Sequence, residues 1–308
     1  MQADTLAAVV LCTGLGATGD VRPLTPRRFQ TLTASLAKHN LSPAALLSLN
    51  LSELLQTEVV SMAETTQILA LAAGVDRVRQ QLKALSDNGI GCVGVAEMDY
   101  PIRLRYGLRK DAPPVLFYAG DLSIANQNAV AVVGSRQVGD VGAAFARMVG
   151  GAVAACGLTL VTGAAKGCDT IAAQAALRQG GRVVLFPAVP LRQVLRQPLY
   201  RQSLAQNRLC ILSACAPDTA FSAYYALTRN RYIYQNANCV FVCESKAGKG
   251  GSYSGARQWL ARGKAVYVFD HPDCAGNQQL IGLGGLPVPD QLHVVQRLIY
   301  QSVVGQDL

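Results

Sequence analysis

Glycines, cations and hydroxyl side chains recur where short apolar runs end, and this combination is suited to binding phosphate groups. The first such place is Gly134-Ser135-Arg136, which directly follows Val133, and the second runs from Gly163 to Asp169 and includes Lys166 and Gly167. Glycine allows a tight turn, N–H groups opening a helix attract anions, and a guanidinium group can donate to two phosphate oxygens. Each loop alone is also consistent with an ordinary strand-to-helix turn that carries a surface cation.

Two further clusters lie later in the chain. Arg229-Asn230-Arg231 stands among tyrosines, and the glycine-rich segment Ser245 to Gly255 contains Lys249 followed by Gly250-Gly251-Ser252. Cations among aromatic rings suit single-stranded nucleic acid, because phosphates accept from guanidinium groups while bases stack on rings. The tyrosines can equally pack in a core or at a dimer contact. The glycine-rich segment is not an ATPase phosphate loop, since glycine replaces the hydroxyl residue that would hold magnesium.

Residues for catalysis or metal binding are not evident. The three histidines are scattered and no Cys-x-x-Cys spacing occurs, so no metal or other cofactor is expected. Glu244 is the one carboxylate near the glycine-rich segment, and pairing with a neighbouring cation accounts for it. Asp169 is predicted to cap the helix that follows it. The chain is therefore predicted to bind a ligand and not to be an enzyme.

The positive charge is concentrated in one part of the chain. The net charge is +9, yet residues 1–128 hold as many acidic as basic side chains, whereas residues 181–264 hold twelve basic and two acidic ones. A concentrated positive field attracts polyanions, because each phosphate contact releases condensed counterions. A basic surface that serves only solubility is the alternative.

The four loops require a scaffold that brings them together. After residue 88 short β-branched runs alternate with helical stretches, which is typical of a parallel sheet whose ligands bind beyond the carboxyl ends of the strands. We therefore predict an α/β, Rossmann-like, doubly wound and mostly parallel sheet over residues 89–288. The predicted strands are Val130–Val133, Leu158–Thr162, Val183–Pro187, Leu209–Ser213, Val240–Cys243 and Ala265–Phe269.

The flanking regions are predicted to be helical. Residues 1–88 are expected to form a small all-helical domain, with helices over Thr25–Lys38, Ser42–Leu55 and Thr65–Leu85. Residues 289–308 are expected to form a C-terminal helix. The spacing Gly14–Gly19 matches a dinucleotide-binding fingerprint, but the following Pro23 and the lack of a surrounding strand-helix-strand unit argue against a cofactor site there.

Taken in order, the motifs resemble the DNA-processing protein A (DprA/Smf) family, whose members have a Rossmann-like fold. The resemblance spans residues 100–285. It is carried by Tyr100-Pro101, by Pro114 to Gly120, by Val133-Gly134-Ser135-Arg136, by Thr162 to Asp169, by Arg229-Asn230-Arg231 and by Gly250 to Ala256. It also implies that the helical domain over residues 1–88 is a degenerate helix-hairpin-helix or a SAM-like domain, and that residues 289–308 lack the winged-helix domain of many relatives.

The resemblance implies a cytoplasmic homodimer that binds single-stranded DNA without sequence preference and loads the recombinase RecA on incoming DNA during natural transformation. It places the DNA phosphates at Arg136, with Lys166, Arg229, Arg231 and Lys249 nearby. Because the same loops can hold one mononucleotide, a nucleotide-binding sensor or a phosphoribohydrolase-like enzyme is the alternative. The full predicted site comprises Gly134, Ser135, Arg136, Gly163, Lys166, Gly167, Arg229, Asn230, Arg231, Lys249, Gly250, Gly251 and Ser252.

No secretory leader and no long apolar run is recognised in the sequence, so a cytoplasmic location without a membrane span is expected.

Overall fold

The structure, a computed structural model, describes residues 1–16, 21–48, 50, 53 and 60–304. The chain divides into two compact units, residues 1–119 with 213–217 and residues 120–212 with 218–308. The first unit therefore extends past residue 88, and the division into domains 1–88, 89–288 and 289–308 stays a prediction. None of the described helices is long and apolar enough to cross a membrane.

The first unit is mainly helical and also contains an antiparallel pair of strands. Its elements are α1 (Ala3–Cys12), α2 (Pro26–Ala37), a 3₁₀ helix (Pro43–Leu47), α3 (Met62–Ala72), α4 (Val75–Asp87), β1 (Ile90–Gly94), α5 (Ile102–Leu108), a second 3₁₀ helix (Arg109–Asp111) and β2 (Val115–Gly120). As predicted, Thr25 caps α2, and its side chain accepts the N–H of Arg28 at 3.2 Å. The strands β1 and β2 were not predicted, and glycine within β1 weakens its strand signal.

Two predicted helices of this unit differ from the structure. Thr65–Leu85 is not one helix, because the chain breaks at Gly74 between α3 and α4. Gly74 packs against the carbonyl oxygen of Gly16, where a Cβ atom would lie 2.7 Å away. Within the predicted helix over residues 42–55, the structure shows the 3₁₀ helix Pro43–Leu47 and a helical Glu53, and most other positions after residue 48 lie outside the described residues. Positions 17–20 of the fingerprint segment also lie outside them.

The second unit is built on seven parallel strands, in the order β6-β5-β4-β3-β7-β8-β9. The strands are β3 (Ala129–Val133), β4 (Thr159–Thr162), β5 (Arg182–Leu185), β6 (Leu209–Ser213), β7 (Cys239–Val242), β8 (Val266–Phe269) and β9 (Leu286–Val288). All six predicted strands are present, because each is an apolar run buried on both faces. The strand β9 was missed, since it has three residues and two are exposed.

Helices connect these strands. They are a 3₁₀ helix (Leu122–Asn126), α6 (Asp140–Ala155), α7 (Cys168–Arg178), α8 (Leu191–Val194), α9 (Pro198–Ala205), α10 (Ala223–Gln235), α11 (Gly251–Leu260), α12 (Ala275–Gly282) and α13 (Leu292–Val304). From β3 the chain winds outward through β4, β5 and β6, and it then returns to β7 on the other side of β3. The predicted doubly wound α/β class is confirmed, and the order of the strands reverses between β3 and β7.

Close packing of α6 on α7 depends on a glycine. A Cβ atom at Gly150 would overlap the backbone carbonyl of Ala172. We expect Gly150→Ala to lower the free energy of unfolding by about 1–3 kcal/mol, because one helix must shift to accept the methyl group. Denaturant unfolding measures this change. Gly282→Ala, in α12 with open space around it, is the matched control and should leave stability unchanged or raise it slightly. Equal stability of the two variants would contradict the prediction.

Candidate nucleic-acid interface

A cleft of about 530 Å³ lies where the strand order reverses, at the carboxyl ends of β3 and β7. Residues from the loops after both strands line it, together with the first residues of α11 and one side of α10. They include Gly134, Ser135, Arg136, Gln137, Asp169, Phe221, Arg229, Asn230, Ser245, Lys246, Lys249, Gly250, Gly251 and Ser252. This is the position where doubly wound sheets bind ligands.

The loop after β3 is fixed by its own hydrogen bonds. The Ser135 N–H donates to the carbonyl oxygen of Glu244 at 2.8 Å, which joins this loop to the one after β7. The Ser135 hydroxyl donates to the Gln137 carbonyl at 2.8 Å and accepts the Gln137 N–H at 3.1 Å. It therefore shapes the turn that presents Arg136, which is exposed.

The glycine-rich loop supplies backbone donors to the same cleft. Gly250 precedes α11 with φ +92°, a conformation that favours glycine, and α11 begins at Gly251. The first N–H groups of a helix lack intrahelical partners and carry partial positive charge. The Ser252 hydroxyl donates to the Gly134 carbonyl at 2.7 Å. This hydrogen bond holds the start of α11 against the loop after β3.

Three exposed cations line the cleft: Arg136, Lys246 and Lys249. The Arg136 guanidinium carbon lies 5.4 Å from the ring centroid of Phe221, which is 47% exposed. Lys246 donates from Nζ to the Gln137 side-chain oxygen. Lys246 was not among the predicted site residues. It lies in the glycine-rich segment Ser245 to Gly255, so the sequence held a signal for it, but only the fold shows that its side chain lines the cleft.

Arg229 is a different kind of cation, because it is buried beneath the cleft wall. It is 8% exposed and its guanidinium nitrogen lies 3.7 Å from the Asp169 carboxylate. Desolvation by burial lowers the pKa of Arg229, and the Asp169 charge opposes that shift. A Cβ atom at Gly163 would overlap the Arg229 guanidinium group, so this glycine makes room for the ion pair.

The prediction that Asp169 caps α7 is wrong. Gly167 is the residue at the cap position, and α7 begins at Cys168. The Asp169 carboxylate instead accepts the N–H of Gly163 at 3.2 Å and pairs with Arg229. Burial raises the pKa of Asp169, although the charge of Arg229 and nearby backbone N–H groups partly lower it.

Other predicted site residues occupy less central positions. Lys166 is exposed and is not among the residues that line the cleft. The neighbouring Gly167 packs against the Ser135 carbonyl, which keeps the loop after β4 beside the loop after β3. Arg231 lies on another face of α10 and lines a second groove. Of the four segments that were predicted to lie together, the loops after β3 and β7 are therefore in the closest contact.

Glu244 acts on a helix terminus. Its carboxylate accepts the N–H of Gly139 at 2.9 Å, immediately before α6. A Cβ atom at Gly142 would overlap this carboxylate, so α6 is packed closely on it. Within the described part of the chain, no group of three or more His, Cys, Asp and Glu side chains is arranged to hold a metal ion.

The chain is similar in sequence to the proteins of one known family. The family model described as DNA recombination-mediator protein A matches residues 91–298. DNA processing protein DprA of Streptococcus pneumoniae (strain ATCC BAA-255 / R6) is 32% identical over 161 residues, which are 52% of this chain and 56% of that protein. Protein Smf of Escherichia coli (strain K12) is 29% identical over 194 residues, which are 61% of this chain and 52% of that protein. The chain thus spans about half the length of the curated relatives it matches.

Two solved structures share the fold. The X-ray structure of DNA processing protein A from Streptococcus pneumoniae superposes with a TM-score of 0.67 at 21% identity and covers 99% of this chain and 98% of that chain. DNA processing protein A from Helicobacter pylori, described for its single-stranded DNA binding mode, gives a TM-score of 0.57 at 22% identity, with 71% and 96% covered. At these identities the similarity concerns the fold.

Proposed function

The chain belongs to the DNA recombination-mediator protein A family, and from this premise we propose that it binds single-stranded DNA without sequence preference. The DNA phosphates bind in the cleft at the carboxyl ends of β3 and β7. The observation that carries the proposal is the meeting of three exposed cations with the amino terminus of α11 in one cleft.

The nature of the cleft favours a single strand over a duplex. Phe221 presents an exposed ring beside Arg136, so a base can stack near a phosphate held by the guanidinium group. A duplex hides its base faces in its own stack and cannot use such a ring. The exposed cations hold the phosphates without reading base edges, which gives affinity that does not depend on sequence.

Within this proposal, the protein is a cytoplasmic recombination mediator without catalytic activity of its own. It acts as a homodimer that delivers RecA to incoming DNA in natural transformation. The family membership supports these finer roles. In the cleft, Arg136 and Lys249 contact phosphates through their charges, and Gly250, Gly251 and Ser252 contribute backbone N–H groups.

A nucleotide-binding sensor is the second candidate, because a cleft of about 530 Å³ has the size of a small-molecule site. A phosphoribohydrolase-like reaction is less well supported, since it needs a carboxylate at the phosphate site. The Glu244 carboxylate accepts the Gly139 N–H and packs on α6. The Glu244 carboxylate is therefore oriented toward the amino terminus of α6.

The test is a titration of labelled oligonucleotides, single-stranded and double-stranded, at several salt concentrations. We expect preference for the single strand and a steep loss of affinity with salt. Arg136→Ala should weaken binding about tenfold at low salt and should reduce the salt slope by about 0.7, because one phosphate contact is lost. Arg147→Ala, an exposed cation on α6 that does not line the cleft, is the control.

Tight and salt-insensitive binding of a mononucleotide, with weak binding of oligonucleotides, would favour the sensor. Release of a free base from that nucleotide would show that the protein is an enzyme. If the Arg136 and Arg147 substitutions weakened binding equally, the cleft would not be the DNA-binding site.

A further inference from the structure

A second groove of about 430 Å³ lies between α10 and α11, next to the phosphate cleft. Its α10 wall is formed by Tyr224, Leu227, Thr228 and Arg231, which are spaced as neighbours on one helical face. Its α11 wall shows the same spacing and is formed by Gly251, Ser254, Gly255, Gln258 and Trp259, and Arg262 beyond the helix end continues the spacing. The groove is therefore a continuous channel along two packed helices.

The groove and the phosphate cleft share a border. Both are lined by Leu227, Asn230, Tyr234 and Gly251. A Cβ atom at Gly251 would lie 2.8 Å from the Asn230 side-chain nitrogen, so the border is a narrow contact between the two helices. A flexible chain that leaves the phosphate cleft can cross this border into the groove.

The groove has the chemistry of a base-binding surface. Tyr224 is 73% exposed and Leu227 is 57% exposed, so the α10 wall presents an accessible ring next to an accessible aliphatic side chain. Trp259 lies deeper, with its ring centroid 5.8 Å from that of the buried Tyr234. Arg231 and Arg262 supply positive charge, and no Asp or Glu is found among the described residues that line the groove. Flat rings with cations beside them suit bases whose phosphates carry negative charge.

We infer that this second groove holds nucleobases of the same single strand whose phosphates occupy the cleft. The inference rests on the proposed function and adds a second subsite to it. Tyr224 and Trp259 stack on bases, while Arg262 neutralises a phosphate at the far end. The charge complementarity and the shared border favour a nucleic acid strand over a protein segment as the occupant.

The chain offers a direct reporter, because Trp259 is its single tryptophan. Binding of an oligothymidylate should quench Trp259 fluorescence, while the anisotropy of a label on the DNA reports binding itself. Tyr224→Ala should weaken binding of the oligothymidylate about five- to hundredfold, the range expected for one lost stacking contact. Tyr224→Phe, which keeps an aromatic ring, should bind the oligothymidylate more tightly than Tyr224→Ala does. Tyr300→Ala, which removes an exposed tyrosine from α13 outside the groove, is the matched control and should have no effect.

An abasic strand of the same length separates bases from phosphates. It keeps the charges but offers nothing to stack, so Tyr224→Ala should not weaken its binding, and Trp259 should not be quenched. Binding of the oligothymidylate without quenching of Trp259, or an equal loss of affinity for the oligothymidylate and the abasic strand on Tyr224→Ala, would overturn the second subsite and leave the proposed function intact. Absence of any oligonucleotide binding would overturn both. A change in oligomeric state on Tyr224→Ala, measured by sedimentation, would assign the groove to a contact between copies and would also overturn the inference.

Discussion

Replacing Arg229 by methionine will lower the free energy of unfolding by about 3–5 kcal/mol, because it leaves the Asp169 carboxylate buried without its partner. The two side chains are 10% and 6% exposed and lie 3.7 Å apart, so water cannot replace the lost charge. Denaturant unfolding near neutral pH measures the loss. Arg178→Met, at an exposed position in the last turn of α7, is the matched control and should change stability by less than about 0.5 kcal/mol.

The pH dependence identifies the cause of this loss. Burial already raises the pKa of Asp169, and removal of Arg229 takes away the largest influence that lowers it. A carboxyl whose folded pKa exceeds its unfolded value binds more protons when folded, so stability rises as the pH falls through the folded value. We therefore expect the difference in free energy of unfolding between the Arg229→Met variant and the unsubstituted protein to become smaller in mild acid.

A second substitution tests the same pair. Asp169→Asn combined with Arg229→Met removes the unpaired charge, so the double variant should lose less stability than the two single variants together. The prediction is contradicted if the stability losses of the two single variants add up to that of the double variant, or if the stability lost in Arg229→Met does not change with pH. Either result would mean that Arg229 stabilises the protein through packing alone.

The largest effect on binding is expected when the three cleft cations are removed together, as Arg136→Ala, Lys246→Ala and Lys249→Ala. Three fewer phosphate contacts should weaken single-stranded DNA binding by at least about a hundredfold at low salt and should reduce the salt slope by about 2. The measurement is fluorescence anisotropy with a labelled oligonucleotide across a salt series. Stability should change little, because all three side chains are exposed.

The control removes the same charge elsewhere in the second unit. Arg147, Arg178 and Arg201 are exposed on α6, α7 and α9, and none of them lines the cleft. Their combined replacement by alanine should leave most of the affinity and of the salt slope intact. Similar losses in both triple variants would show that binding depends on net charge and not on the cleft.

Much of the scaffold could be predicted from the sequence, because its strands are short apolar runs with hydrophobic residues on both faces. All five residues of β3 are buried, and a short run rich in β-branched residues that ends at a glycine is typical of a strand buried on both faces. The break between α3 and α4 was not predicted. It depends on Gly74 meeting Gly16, a contact between distant parts of the chain that helical periodicity does not report.

The sequence by itself determined that glycine-rich, cationic loops follow parallel strands, and the doubly wound order places such loops at one edge of a sheet. The family resemblance ranked Arg136 ahead of Arg229 as a phosphate ligand, but the residues themselves did not show which of the two side chains is exposed. Only the tertiary structure decided that Arg136 faces the cleft beside Phe221 while Arg229 is buried against Asp169. The physical reason is that local sequence sets the type and position of a charge, whereas its exposure depends on which distant side chain desolvates or pairs with it.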